Sequence, residues 1–194
     1  MKNPQPKEWR SEEWSQHKIA DYKPYNFVDG EGVRCSLYVS GCLFQCEGCY
    51  NKIIQNFNYG TYYTQELEDQ IIKDLGASYC QGLTLLGGEP FLNTEVLLRL
   101  CKQLRKTYGD TKDIWSWSGY TWEELQQETD DKLALLDYVD VLVDGRFILA
   151  KCDLTLRFRG SSNQRIINVK ESQKMNKVVL YYPEDELLST ESEG

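Results

Sequence analysis

The chain has 194 residues, enough for one domain with its own hydrophobic core and too few for two large ones. Hydrophobic residues make up 41% of it and the net charge is −8, which disfavours nucleic acid as the main partner because nucleic acids favour basic surfaces. Its apolar runs reach only strand length, whereas a membrane span needs about 20 consecutive apolar residues. The N-terminus also lacks the apolar core of a signal peptide, so we expect a cytoplasmic protein without a membrane partner.

The two ends of the chain differ in composition from its middle. Residues 1–20 are mostly polar, with Trp9 and Trp14 as large apolar groups, and we interpret them as an extension that packs loosely on the body. Residues 183–194 contain five acidic residues and no basic one, which is typical of a solvated acidic tail. Residues 21–182 are then the single folded domain.

From about residue 24 the chain alternates between strand and helix signals. Helices with an apolar face are predicted after the N-cap candidates Thr64 and Asn93. Thr121 and Glu124 have the spacing of a capping box, which predicts a third helix start. Short apolar or alternating runs predict strands over residues 33–40, 82–86, 113–118, 140–143, 165–169 and 178–182.

Strands that alternate with helices of this length form βα units and therefore a parallel sheet. A complete eight-stranded barrel typically needs about 250 residues, more than this chain has. We therefore predict an α/β fold, namely a partial, open βα barrel of about five to six parallel strands with flanking helices. In such sheets the functional residues collect at the carboxyl ends of the strands.

Three of the seven cysteines directly follow the first of these strands, in the spacing C-x3-C-x2-C: Cys42, Cys46 and Cys49. Clustered cysteines in a reducing compartment bind metal more often than they form disulfides. Three thiolates at this spacing can hold a [4Fe–4S] cluster, with loop amides stabilising its charge. Three ligands leave one iron open, as catalytic zinc sites keep a position for substrate. We predict that these cysteines are the metal ligands and the catalytic centre, and that the open iron chelates the methionyl group of S-adenosylmethionine.

Other interpretations of the cysteines remain open at this stage. Cys35, seven residues upstream, is the candidate fourth thiolate of a structural zinc site, which would make the chain a zinc-stabilised binding module without catalysis. Zinc sites, however, typically use two separated ligand pairs. A plain electron carrier is a further alternative, but its cluster takes four ligands. Cys80 and Cys101 have apolar neighbours and are expected to be ordinary buried thiols.

The cysteine loop and several later segments resemble the radical S-adenosylmethionine enzymes, and specifically the activating proteins of anaerobic ribonucleotide reductase. The resemblance covers about residues 24 to 170. It lies in the segments Asp29-Gly-Glu-Gly-Val-Arg-Cys-Ser-Leu-Tyr-Val-Ser-Gly-Cys42, Cys46-Glu-Gly-Cys-Tyr-Asn51, Gly87-Gly-Glu-Pro90, Trp117-Ser-Gly-Tyr-Thr121 and Val141-Leu-Val-Asp-Gly-Arg-Phe147.

This resemblance implies a reaction and its partners. A reduced cluster cleaves S-adenosylmethionine to a 5′-deoxyadenosyl radical, which abstracts hydrogen from a glycine of the anaerobic ribonucleotide reductase. A flavodoxin or ferredoxin supplies the electron. An activase of another glycyl-radical enzyme, such as pyruvate formate-lyase, is the alternative, and whether two copies form a homodimer is left open. Residues 146–165 hold five basic residues against one acid, which favours either steering of a protein partner or a solvated loop.

Around the third cysteine, the resemblance implies a contact to the adenine of the cofactor. The superfamily usually has an aromatic residue before this cysteine, whereas here Gly48 stands before it and Tyr50 after it. The expected contact is therefore made by the backbone of Gly48, Cys49 and Tyr50, with the Tyr50 ring as an additional surface.

Two further segments are expected to bind the cofactor. Gly87 and Gly88 allow the backbone to approach a ligand, and their carbonyls with the Glu89 carboxylate are expected to accept hydrogen bonds from the methionyl ammonium. The alternative is a helix-entry loop with an acid near a helix dipole. Asp144 is expected to bind ribose or a monovalent cation, and Arg146 the methionyl carboxylate, with a surface salt bridge as the alternative.

Overall fold

The computed structural model of the protein describes residues 3–182, so the predicted acidic tail 183–194 lies outside the described residues. Within residues 3–182, no helix is long and apolar enough to cross a bilayer. The strands are β1 (Lys18–Asn26), β2 (Val33–Val39), β3 (Thr61–Tyr62), β4 (Cys80–Gly87), β5 (Asp113–Trp117), β6 (Val141–Asp144) and β7 (Arg165–Asn168). The helices are α1 (Ser11–Trp14), α2 (Gln65–Leu75), α3 (Thr94–Tyr108), α4 (Trp122–Leu125), α5 (Asp130–Tyr138) and α6 (Val169–Met175).

The strands form one open sheet in the order β3-β1-β2-β4-β5-β6-β7. The central strands β2, β4, β5 and β6 run parallel, while β1, β3 and β7 pair antiparallel. The predicted α/β class is confirmed, but four strands run parallel instead of five to six, and closure towards a barrel is not confirmed. The difference arises at the edges, because no α-helix separates β1 from β2 or β6 from β7, and the chain reverses there instead of crossing over.

The crossover helices begin where the sequence places them, but one of the expected caps acts elsewhere. The Thr64 hydroxyl accepts a hydrogen bond from the third amide of α2, and Thr121 and Glu124 form the predicted capping box of α4. Asn93 occupies the N-cap position of α3, as predicted, but its side chain makes no cap bond. The Ser11 hydroxyl accepts the bond from the Thr94 amide instead, at 3.0 Å.

The N-terminal segment is part of the folded body, and the expectation of loose packing is wrong for it. Trp9 is only 6% exposed and makes edge-to-face contacts with Phe44, at 5.0 Å between ring centroids, and with Tyr120, at 6.3 Å. The buried Lys132 ammonium donates a hydrogen bond to the Trp9 carbonyl. Trp14, in contrast, remains 40% exposed. Burial of one large aromatic side chain ties this segment to the loop that carries the cysteines.

The last two strand predictions have different outcomes. The segment 165–169 forms β7, which ends one residue earlier than predicted. Residues 178–182 form only an isolated bridge, between Ile167 and Leu180, so a full strand is wrong there. Tyr181 instead packs edge-to-face on Trp115, with 5.3 Å between ring centroids.

Candidate iron–sulfur site

A cavity of about 160 Å³ lies at the carboxyl ends of the four parallel strands. Each strand contributes the segment that follows it to the cavity wall. The cysteine loop follows β2 and the Gly-Gly-Glu-Pro turn follows β4, while Ser118 follows β5 and Gly145 follows β6. The sheet register brings these segments together, because Val39 pairs with Gly87 and Trp117 with Val143.

Cys42, Cys46 and Cys49 all line this cavity, and all three are free thiols. Cys46 is buried, and the other two are partly exposed. Across residues 3–182, no three His, Cys, Asp or Glu side chains are close enough together to hold a single metal ion. A cubane takes each thiolate on a different iron, so its ligands stand farther apart than those of one ion. Three thiols around one cavity are the donor set that such a cluster requires.

On one side, the start of the cysteine loop is fixed by a short 3-10 turn, Lys52–Gln55. The Gly41 amide donates to the Ile54 carbonyl at 2.8 Å, and the Cys42 amide donates to the Gln55 carbonyl at 3.0 Å. These two hydrogen bonds fix the backbone at Cys42 without the need for a bound ligand.

On the other side, the Gly-Gly-Glu-Pro turn holds the loop. The Gly88 amide donates to the Val39 carbonyl at 2.8 Å, and the Glu89 amide donates to the Gly41 carbonyl at 2.7 Å. A Cβ atom at Gly88 would lie 2.3 Å from the Gly41 oxygen, so the two backbones approach this closely only with glycine here. Gly87 and Gly88 both line the cavity. The close approach of two backbones is one explanation for glycine at these positions, and the predicted approach to a cofactor is another.

The electrostatic environment of the thiols differs between the first two cysteines. Burial raises the pKa of the Cys42 thiol, and the nearby Glu89 carboxylate raises it further. Burial also raises the pKa of Cys46, whereas the backbone of Phe147 and the Arg146 charge lower it. Both thiols are therefore protonated in the metal-free protein, and metal binding must displace their protons.

Glu89 is buried, and its carboxylate is already well hydrogen-bonded. It accepts from the Ser118 hydroxyl at 2.9 Å, the Gly119 amide at 2.8 Å and the Phe91 amide at 3.1 Å. Burial raises the pKa of Glu89 to about 7, although these hydrogen bonds oppose the shift. A carboxylate has about four acceptor sites, so three bonds leave one for a donor in the cavity. Ser118 and Gly119 belong to a segment that carried the resemblance, but no role had been assigned to them.

Asp144 and Arg146 lie outside the cavity wall and have partners within the protein. Asp144 is buried and accepts from the Trp122 amide at 2.7 Å and from the Arg165 guanidinium. Arg146 donates two hydrogen bonds of 2.8 Å to Glu124. Its guanidinium also lies 4.7 Å from the centroid of the Phe44 ring. The structure thus places both residues in salt bridges, outside the set of residues that line the cavity.

The segment around the third cysteine is open to solvent. Gly48 has a φ of +69°, and a Cβ there would lie 2.9 Å from a methyl carbon of Leu149. Tyr50 is fully exposed, and its ring is not part of the cavity wall. Asn51 lines the cavity instead, and its amide donates to the Gly87 carbonyl at 3.4 Å. Asn51 is the last residue of the segment Cys46-Glu-Gly-Cys-Tyr-Asn51, so the resemblance was the sequence feature that could have indicated its place at the cavity.

The remaining cysteines and the basic side chains of residues 146–165 (the basic loop) do not line the cavity. The Cys35 thiol is buried 3.8 Å from the Cys80 thiol, so it does not join the clustered cysteines as the zinc interpretation requires. Cys80 and Cys101 are buried, as predicted. In the basic loop, Arg165 pairs with Asp144 and Glu123, which uses part of the local positive charge within the fold.

Comparison with known proteins identifies the family. Residues 28–167 match the model of a 4Fe-4S single cluster domain. Anaerobic ribonucleoside-triphosphate reductase-activating proteins are 48% identical in Vibrio cholerae over 149 residues (75% of this chain, 94% of that protein) and 44% identical in Haemophilus influenzae over 153 residues (77% and 96%). The protein of that name from Escherichia coli K12 is 40% identical over 153 residues, which cover 77% of this chain and 97% of that protein. With such identity over nearly the whole length of these relatives, the chain belongs to the family of anaerobic ribonucleoside-triphosphate reductase-activating proteins.

Proposed function

We propose that the chain activates an anaerobic ribonucleoside-triphosphate reductase by radical chemistry on S-adenosylmethionine. The observation that carries this proposal is that three thiols and one buried carboxylate, Cys42, Cys46, Cys49 and Glu89, line one cavity at the ends of the parallel strands. The names of the relatives support the reductase as the partner.

The three cysteines would hold a [4Fe–4S] cluster and leave one iron without a protein ligand. When bound, this cluster supplies the electron that splits S-adenosylmethionine into methionine and a 5′-deoxyadenosyl radical, which takes hydrogen from a glycine of the reductase. A flavodoxin or ferredoxin is the proposed source of the electron, and the reaction is proposed to take place in the cytoplasm.

The protein's own contribution is to bind and orient the cofactor. Glu89 accepts one hydrogen bond from the methionyl ammonium at its remaining acceptor site, while Ser118 and Gly119 hold the carboxylate in place. Because Glu89 is buried, its interaction with a cation is screened little by water. The carbonyls of Gly87 and Gly88 are the proposed further acceptors.

The walls of the cavity also limit contact with water. Phe44, Leu86, Trp117 and Phe147 line it beside the thiols. Exclusion of water prevents side reactions of a reactive intermediate.

The remaining predicted site residues have separate proposed roles. The backbone of Gly48, Cys49 and Tyr50 is the proposed adenine contact. The positive charge of Arg146 acts on the site by lowering the pKa of Cys46. Binding of ribose or a monovalent cation by Asp144 remains a proposal, and its carboxylate already accepts from the Trp122 amide and the Arg165 guanidinium.

The test uses protein purified and reconstituted without oxygen. We expect about four irons and four sulfides per chain, and formation of 5′-deoxyadenosine when a strong reductant and S-adenosylmethionine are added. Cys46→Ala should abolish this product. Cys152→Ala is the matched control, because Cys152 is exposed and outside the cavity, and it should retain wild-type activity.

The identity of the partner needs a second assay. The reconstituted protein should generate a glycyl-radical electron paramagnetic resonance signal on the anaerobic reductase and not on pyruvate formate-lyase. Undiminished cleavage in Cys46→Ala, or a colourless protein that contains zinc, would refute the proposed chemistry. A radical on pyruvate formate-lyase alone would refute the proposed partner.

A further inference from the structure

Asn93 is a buried amide at the start of α3 that joins three separate segments of the chain. Its Nδ2 donates to the Ser40 carbonyl at 3.0 Å and to the Glu89 carbonyl at 3.1 Å. Its Oδ1 accepts from the Ser15 hydroxyl at 3.0 Å. The two carbonyls can only accept, so the side-chain atom that faces them must be the amide nitrogen. Its residual exposure is 1%, and both N–H donors of its side chain are used within the protein.

The hydrogen bond to Ser40 is one of three on consecutive backbone carbonyls. The consecutive carbonyls of Val39, Ser40 and Gly41 accept hydrogen bonds from the Gly88 amide, the Asn93 side chain and the Glu89 amide. This row leads directly into Cys42, the first of the three clustered cysteines. Two of the three donors are backbone groups, so Asn93 is the side chain through which the sequence controls this junction.

Removal of the amide would affect both walls of the cavity at once. Asn93→Ala leaves the buried Ser40 carbonyl without its donor, and leaves the Glu89 carbonyl with only the Leu92 amide. An unpaired buried carbonyl is unfavourable enough for the backbone to move towards another donor. One carbonyl precedes Cys42 by two residues and the other belongs to Glu89 itself. The helix start, in contrast, is capped independently by Ser11.

We propose that Asn93 is a positioning residue that fixes the first cluster cysteine relative to the cofactor-facing turn. The inference rests on the proposed function, because it assigns the cysteine loop to the cluster and the turn to S-adenosylmethionine. Ser15, which orients Asn93, lies outside residues 28–167, the region matched by the domain model. The N-terminal segment thereby takes part in the geometry of the site.

The test compares Asn93→Ala with Asn168→Ala in the reconstituted, reduced protein. Asn168 is a matched control, because it also occupies a helix N-cap position, at the start of α6, where its side chain accepts from the Glu171 amide. The readouts are the dissociation constant of S-adenosylmethionine and the change that it causes in the electron paramagnetic resonance spectrum of the cluster. Loss of one hydrogen bond typically changes an equilibrium constant by about two- to tenfold, so Asn93→Ala should bind S-adenosylmethionine about two- to tenfold more weakly and show a diminished spectral change. Asn168→Ala should match the wild type in both.

Ser15→Ala provides a second, milder variant in case Asn93→Ala does not fold. It removes the bond that orients Asn93 but keeps both amide donors, so it should weaken cofactor binding in the same direction and to a smaller extent. A folded Asn93→Ala with wild-type affinity and spectrum would overturn the inference, as would an unchanged Ser15→Ala where Asn93→Ala fails to fold. A wild-type protein that binds neither cluster nor cofactor would instead refute the proposed function.

Discussion

Truncation of Trp9 tests whether the N-terminal segment belongs to the core. Trp9→Ala would remove a side chain that is 6% exposed and is packed between Phe44 and Tyr120. Replacement of a buried Trp or Phe by Ala typically destabilises by about 3–5 kcal/mol. The two edge-to-face contacts belong to this loss, at about 0.5–1.5 kcal/mol each.

The segment can also detach locally instead of leaving a cavity, which sets the loss at the lower end of this range, about 3 kcal/mol. For a chain of this size, a loss of 1 kcal/mol lowers the melting temperature by about 2–4 °C, so a fall of roughly 6–12 °C is expected. The assay is thermal or urea unfolding of the metal-free protein, followed by tryptophan fluorescence and circular dichroism.

Trp14→Ala is the matched control, since Trp14 is five residues away and 40% exposed. It should lower stability by about 1 kcal/mol or less, because part of its apolar area never leaves water. Equal effects of the two substitutions, or a Trp9→Ala protein as stable as the wild type, would refute the packing argument.

Two further predictions concern buried charges. Lys132 and Glu128 form a buried salt bridge at 2.8 Å, so Lys132→Met should lower the free energy of unfolding in urea by about 3–5 kcal/mol. The double variant Lys132→Met with Glu128→Gln should recover part of this loss. Additive losses in the double variant would contradict the pairing. Glu89 has its pKa raised by burial from 4.5 to about 7, so its contribution to stability is greatest at low pH and falls as pH rises from about 4.5 to 7, by roughly 3 kcal/mol. In the metal-free protein, Glu89→Gln should remove this decline, and equal slopes of unfolding free energy against pH in both proteins would show that the carboxyl is not buried as described.

Features with a local cause could be predicted from the sequence. Thr64 and the pair Thr121 and Glu124 cap helices by bonds to amides three residues away, so the pattern alone indicates them. The gathering of the cysteine loop and the Gly-Gly-Glu-Pro turn follows from the rule that parallel strands present their carboxyl ends at the same edge.

Features that depend on distant partners were missed. Asn93 has the pattern of a cap, but its side-chain amide donates to the carbonyls of Ser40 and Glu89 instead. For Arg146 the sequence left a salt bridge open as the alternative to carboxylate binding, but its partner, Glu124, could not be named from the sequence. The burial of Trp9 depends on a surface built by distant segments, so nothing in the local pattern indicates it.

Three protein thiolates are proposed to hold a four-iron cluster and to leave one iron for S-adenosylmethionine. Mössbauer spectroscopy of protein reconstituted with iron-57 distinguishes this arrangement from a cluster with four protein ligands, because the technique reports on each iron. Addition of S-adenosylmethionine should change the signal of one iron in four and leave the other three unchanged. Four irons that all ignore the cofactor, or an iron signal that already shows a fourth protein ligand, would contradict the account.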